Sequence, residues 1–361
     1  MLTLVESCDI MPLQTITILR NKRGKTTMRT VRLKDIADVC GVSTATVSRA
    51  LNGLTQENNK VTSMIRQKAA EMGYVPNAAA LTLKTNRSNN IGVLYEDQMD
   101  HEYFSSLLDA LRREASRRGY DLSLIGEEGG NGINYLEHIR RRNLDGVIVI
   151  QADFDSAEVI RLATSSIPSV VIDHLYEGCN CVSSDNRESM KQIVRCAVEH
   201  GHRRIAYITG EQGAVTNERL AGFYKTCAEM GICVPEGSVK EGRFHEPEDC
   251  VRLIRELMAG PVSATCILCP DDYSCLGALW QLKEAGIGVP EQVSLIGYDG
   301  IRMGQMIPPR LTTYRQDTAG IAAEALTLLT DTIESPDSLP ARQIAVAGKM
   351  IEGETVGVPS R

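Results

Sequence analysis

No run of apolar residues in this 361-residue chain approaches the ~20 needed to span a bilayer, which argues against a helical membrane protein. The N-terminal stretch does not read as an export signal either. Its cations Arg20, Lys22, Arg23 and Lys25 follow the apolar residues instead of preceding them, and no Ala-x-Ala site appears. The marks of catalysis are missing too: no Walker-type glycine loop, no G-x-S-x-G elbow and no histidine spacing suited to a metal. The six histidines, His101, His138, His174, His200, His202 and His245, are dispersed. An enzyme is therefore not expected, and neither a cofactor nor a metal. A disulfide framework is also absent. The eleven cysteines are odd in number and scattered, which suits a reducing cytoplasm. Cys266-x-x-Cys269 lies in an apolar run without a second ligand pair, so it reads as buried strand thiols, as does Cys179-x-Cys181.

Positive charge is scarce over most of the chain. Residues 1–87 carry 13 Lys and Arg against 6 Asp and Glu, whereas the remainder carries 26 against 40. A basic head on an acidic body points to a polyanion-binding segment on a soluble carrier. The length suggests two or three domains with ample core.

Within the basic head, LKDIADVCGVSTATVSRALNG (residues 33–53) reads as two short helices joined by a tight turn. Leu33, Ile36, Ala37 and Val39 put small and apolar groups on one face of the first helix. Gly41 supplies the left-handed backbone that stops it. Ser43 is suited to cap the second helix, whose Val47, Ala50 and Leu51 face inward. Thr44, Ala45, Ser48, Arg49 and Asn52 form the opposite stripe, all small or polar apart from one guanidinium. A helix-turn-helix lays such a helix in the major groove, where an arginine can grip guanine O6 and N7 together. A third helix, about residues 63–72, packs Ile65, Ala69 and Met72 on the first two, and Gly73 ends it.

This stretch, continued by VTSMIRQKAAEMGYVPNAAALTLKT (residues 61–85), resembles the N-terminal signature of the lactose-repressor family of bacterial transcription regulators, and the resemblance runs from about Met28 to Gly357. It implies four segments. Residues 1–27 are a disordered extension or precede the true start. Residues 28–75 are the helix-turn-helix domain, 76–89 a hinge helix and linker, and 90–357 a two-lobed effector-binding and dimerisation domain. The residues expected at DNA are Arg32, Ser43, Thr44, Ala45, Thr46, Ser48, Arg49, Asn52, Tyr74, Asn77, Ala80, Leu83 and Lys84. Arg32 stands where the family often has a threonine cap and is expected to touch phosphate. The hinge helix is too short to be stable alone and in the family orders on operator DNA. Leu83 would wedge into a central base step of the minor groove, and Ala80 would let two hinge helices approach closely.

From Asn90 onward strands alternate with helices. Apolar strand-like runs stand at 91–95, 121–126, 146–150, 168–173, 205–210, 264–269 and 293–299, with a weak one near 238–241. Helical stretches stand at 103–118, 135–142, 156–164, 218–230, 247–258 and 273–285. Strands separated by helices of this length make βαβ units. The expected fold class is thus α/β: a small all-helical domain followed by two doubly wound parallel lobes, similar to periplasmic binding proteins. Ligands sit outside the carboxyl ends of parallel strands, so the cleft between the lobes is the default site.

The resemblance places five effector contacts there. Arg219 in NERLAGF would grip the ligand, and Asp299 in GYD would accept from its hydroxyls. Asp271, Asp185 and Phe104 also match family cleft positions, Phe104 as a ring to stack on a sugar face. Asp272 is expected to cap the helix after it. Three carboxylates with few lysines disfavour an acidic ligand and favour a neutral sugar or polyol. The expected partners are therefore double-stranded operator DNA, a small-molecule effector and a second copy of the chain in a homodimer, with no membrane. The competing reading is a transport-type sugar-binding module without DNA readout; the basic head counts against it.

Overall fold

The computed structural model describes residues 31–51, 60–75, 82, 85, 87–96, 101–126, 134–261, 263–335 and 340–359. They divide into two compact units between Lys84 and Thr85. Residues 1–27, together with Asn52, Asn77, Ala80, Leu83 and Lys84 and so most of the expected hinge helix, lie outside the described residues.

The first unit is built from α1 (Leu33–Cys40), α2 (Thr44–Leu51) and α3 (Lys60–Glu71). Gly41 ends α1 at φ 66°, its N–H donating to Ala37 O, and Gly73 follows α3 at φ 68°. Ile36, Ala37, Val47, Ala50, Ile65 and Ala69 form the core, with Leu33, Cys40, Leu51, Met72 and Tyr74 packed around it. One expectation is corrected. Val39 is 58% exposed, because the buried arc of α1 runs through positions 36, 37 and 40 and Val39 falls off its edge.

The second unit holds two six-stranded sheets. The first has the order β11-β5-β4-β3-β1-β2 and consists of β1 (Asn90–Leu94), β2 (Asp121–Ile125), β3 (Gly146–Val149), β4 (Ser169–Ile172), β5 (Asn180–Ser184) and β11 (Gln343–Val346), all parallel. The second has the order β12-β10-β9-β8-β6-β7 and consists of β6 (Ile205–Thr209), β7 (Val239–Glu241), β8 (Cys266–Leu268), β9 (Ser294–Asp299), β10 (Thr313–Arg315) and β12 (Lys349–Ile351); only β12 is antiparallel to its neighbour.

Helices cover both faces, so successive strand residues are buried on opposite sides. In the first lobe, Ile148 and Val170 face α4 (Glu102–Arg117) and α11 (Thr318–Glu334). Val147, Val149 and Val171 face α5 (Tyr135–Arg141) and α6 (Ala157–Ala163). In the second lobe, Ile208, Ile267 and Leu295 pack on α9 (Pro247–Ala259) and α10 (Asp272–Glu284). Tyr207, Leu268, Ile296 and Tyr298 pack on α7 (Asn186–Glu199) and α8 (Ala214–Glu229).

The chain passes between lobes three times: from β5 to α7, from β10 to α11 and from β11 to β12. Cys179, Cys181, Cys266 and Cys269 are buried free thiols, as the runs around them implied. Among the described residues no helix is long and apolar enough to cross a membrane.

Candidate functional site

In the first unit the second helix presents a small, polar face. Ser43 Oγ accepts from Thr46 N–H at 3.1 Å, the cap expected of it. Thr44, Ala45 and Arg49 are exposed, and Arg49 Nε donates to Ala45 O at 3.3 Å, one turn back along the helix. Arg32 is exposed at the start of α1. Its backbone N–H donates to Asp35 Oδ2 at 2.8 Å, which ties the start of the helix to its first turn. Tyr74 packs at the edge of the three-helix core, so its ring serves that core as well.

In the second unit a cavity of about 780 Å³ opens between the lobes, within the usual range of small-molecule sites. Its floor is made by strand ends. Gln151 follows β3, Asp173 follows β4 and Asp299 ends β9, with φ of 43°, 63° and 107°. With His245 at φ 59°, four non-glycine residues at positive φ line one cavity, strain concentrated at a binding surface.

Arg219 on α8 is the cation of the floor and is 5% exposed. Its Nε donates to Asn186 Oδ1 at 3.0 Å and its NH1 to Pro270 O at 3.2 Å. The guanidinium carbon lies 3.4 Å from the centroid of the Tyr298 ring, a cation–π stack that fixes its plane. Burial pushes the Asp299 carboxyl up to about 8, with Asp271 adding to it and Arg219 opposing it. Burial likewise raises Asp173, again against the pull of Arg219. One arginine thus serves an aspartate from each lobe. Gln316, at the second crossing, joins the lobes at the back: its Nε2 donates to Asp299 Oδ1 at 2.7 Å and its Oε1 accepts from Ser184 Oγ.

The five residues expected here divide. Arg219, Asp271 and Asp299 line the cavity, and Phe104 and Asp185 do not. Phe104 is 1% exposed in the core of the first lobe, because the inner face of α4 points at the sheet; the adjacent Tyr103 meets the cavity in its place. Asp185 caps α7, accepting from Glu188 N–H at 3.0 Å. Asp271 lines the wall, yet its carboxylate accepts from Ser274 N–H, Ser274 Oγ and His245 N–H at 2.7, 2.9 and 2.9 Å and so acts as a cap. The cap expected of Asp272 therefore belongs to Asp271. Asp272 is fully buried, bound to Thr313 Oγ1 and Ile301 N–H at 2.6 and 2.9 Å. Asp173, Gln151, Tyr103, Phe154, Phe244 and Gln316 line the cavity without having been singled out. Asp173 could have been found, as the first polar residue after a buried strand run. Gln316, on a crossover, carries no such mark. No group of three or more His, Cys, Asp or Glu among the described residues could hold a metal ion.

With this geometry in view, the comparisons with known proteins agree. Residues 32–77 match the bacterial regulatory proteins of the lacI family, and residues 194–356 match the periplasmic binding protein-like domain. The HTH-type transcriptional repressor PurR of Pasteurella multocida (strain Pm70) is 31% identical over 309 residues, covering 83% of this chain and 91% of its own length. PurR of Escherichia coli O139:H28 is 31% identical over 336 residues, covering 90% and 96%. Among solved structures, the complex of the transcriptional regulator CelR with cellobiose covers 90% of this chain and 99% of its own, at TM-score 0.66 and 25% identity. The lac repressor dimer bound to operator and the anti-inducer ONPF covers 91% and 100%, at TM-score 0.75 and 22% identity, a likeness of fold. With relatives matched over nearly their whole length, the chain belongs to the lacI family of bacterial regulatory proteins.

Proposed function

We propose that this DNA-binding transcription repressor takes a neutral sugar or polyol in the cleft between its lobes and carries out its regulation in the cytoplasm. The observation that carries the reading is the lining of the cleft, where the buried guanidinium of Arg219 shares one cavity with Asp173 of the first lobe and Asp299 of the second. Such a floor offers donors and acceptors to a polyhydroxy ligand, and the rings of Tyr103, Phe154 and Phe244 in the walls offer apolar faces to a pyranose. Glu96, Asp153, Glu211 and Glu246 outnumber Arg219 and Arg243 in the lining, a balance that disfavours phosphorylated ligands. The solved relative CelR holds cellobiose. The test is a thermal-shift screen of the full chain against neutral sugars, sugar phosphates, sugar acids and nucleobases. A ligand at 100 times its Kd adds about 2.7 kcal/mol to stability, which is visible in such a screen. A response confined to nucleobases or sugar phosphates would overturn the neutral-sugar reading.

The recognition surface proposed is the outer face of α2, with Thr44, Ala45, Ser48 and Arg49 reading bases. Arg49→Ala is expected to weaken operator binding by roughly 1–3 kcal/mol and to relax base preference at one position. Equal loss on every sequence, measured by gel shift on a randomised operator library, would instead assign Arg49 to phosphate. Leu83 and its neighbours in the hinge segment are proposed to act in the minor groove.

A symmetric operator requires two copies of α2, and a surface suited to bring them together lies on the second lobe. Trp280 is 62%, Met303 53% and Ile307 46% exposed around an apolar groove of about 400 Å³, and Met306, between the last two in sequence, is 73% exposed. A cluster of large apolar side chains left in water marks a contact surface, and we assign it to a second copy of this chain. Trp280→Ser is expected to shift the chain toward monomer in sedimentation equilibrium; an unchanged dimer would move the contact elsewhere.

A further inference from the structure

Residues of opposite lobes also meet directly, at the cavity lining and beside it. His101, the residue before α4 in the first lobe, lies with its ring centroid 3.9 Å from that of His245 in the second, the planes 20° apart. Tyr103 lies nearly parallel to His101 at 6.5 Å and 9°, and Tyr273 meets His245 edge-on at 6.4 Å. Four rings thus form a cluster shared by the two lobes. Beside them, Glu102 reaches across from the first turn of α4. Its Oε1 accepts from Arg302 N–H at 2.7 Å and its Oε2 from Met303 N–H at 3.3 Å, at the start of the short 3₁₀ turn Met303–Gln305.

Each partner is held in place from behind by its own lobe. His101 Nδ1 accepts from Phe104 N–H at 3.3 Å, and its Nε2 meets the Gln151 side-chain amide at 2.9 Å. His245 has its N–H bound to Asp271 Oδ2 at 2.9 Å and a backbone φ of 59°, which fixes the direction of its ring. The amide just before the Glu102 pair, Ile301 N–H, is held by Asp272 of its own lobe at 2.9 Å.

We propose that His101, Glu102 and His245 form a clasp that holds the two lobes together over the cleft, and that a ligand enters by breaking it. The stack and the carboxylate bridge are adjacent in the first lobe but lie on separate segments of the second, so a rigid-body opening separates both at once. The clasp lowers the fraction of open molecules and with it the apparent affinity of any ligand that must enter from solvent. His101 and Glu102 are thereby residues that set effector affinity without belonging to the floor of the site. The segment that Glu102 holds, from Arg302 on, also supplies Met303 and Ile307 to the apolar groove, so opening the cleft disturbs the surface assigned above to the second copy.

The test is residue-resolved amide exchange on the full chain, with His245→Asn as the main variant. Asparagine tolerates the left-handed backbone, so the fold is kept while the stack is lost. Among the described residues no hydrogen bond joins His245 to Arg302 or Met303, whose amides donate to Glu102. If the clasp is one cooperative unit, exchange at those two amides is expected to rise by at least about threefold while Ile301, held within its own lobe, is unchanged. His101→Asn, which keeps an acceptor for Phe104 N–H, is expected to do the same. Unchanged exchange at Arg302 and Met303 in both variants would overturn the proposal. So would equal acceleration at Ile301, which would assign the contacts to the stability of the second lobe. The outcome does not depend on which ligand the cleft takes, so a failed sugar screen and a failed clasp are separate results.

Discussion

Arg219→Ala is expected to abolish the thermal shift produced by whichever ligand the screen identifies. The guanidinium is buried, stacked on Tyr298 and aimed at the cleft by Asn186 and Pro270 O, so its orientation is prepaid before a ligand arrives. Truncating one partner of a buried, charge-assisted contact typically costs 2–5 kcal/mol. A loss of about 100-fold in affinity would reduce a 2.7 kcal/mol stabilisation to about 0.4 kcal/mol at the same ligand concentration. Removal of the cation also withdraws the one influence that lowers both Asp173 and Asp299. Both carboxyls should then stay protonated to higher pH, with donors and acceptors rearranged. Arg219→Lys is the companion variant. It keeps the charge but cannot fork or stack as a plane, and an intermediate loss is expected. A full shift in the alanine variant would remove Arg219 from the ligand's contacts.

The largest expected effect on stability is that of Gly297→Ala. Gly297 lies inside β9, where a Cβ would stand 2.0 Å from Asp272 Oδ1 and 2.9 Å from Leu311 Cδ2. The carboxylate cannot swing aside, since Thr313 Oγ1 holds one oxygen and Ile301 N–H the other. Asp272 is fully buried, and burial raises its carboxyl well above the usual range, so any displacement leaves a polar group unpaired in a dry interior. Overpacking of a tight core costs 1–3 kcal/mol, and breaking this pair adds to it, so a loss of about 3 kcal/mol is expected in urea unfolding. A loss below about 1 kcal/mol would mean that the strand yields, and that Asp272 is not pinned as its hydrogen bonds imply.

Much of this architecture was legible in the sequence because apolar runs of four to six residues separated by helix-length stretches admit few folds. What escaped the reading is instructive. β5 (NCVSS) alternates small and polar residues, β10 and β12 are three residues long, and β11 lies at a sheet edge with half its residues exposed. None makes an apolar run. α7 and α11 are amphipathic or apolar, yet each follows a strand too polar or too short to stand out, so no strand–helix pair marks them. In the site, motif positions such as Arg219 and Asp299 could be read one at a time. The aspartate that answers Asp299 from the other lobe, the glutamine on the crossover and the facing histidines could not. They meet only once two sheets have been assembled, and pairings made by tertiary closure leave no local pattern.

The three crossings between lobes have a consequence for how the molecule is made. α11 shares with α4 the cover of one face of the first sheet, and β11 is that sheet's last strand, yet both are encoded after nearly the whole of the second lobe. A nascent chain emerging from the ribosome can close the second lobe's central strands while the first, begun earlier, still has apolar surface exposed. The lobe that is synthesised first is therefore the one finished last, and its waiting face is where aggregation would start and where a chaperone would bind during translation.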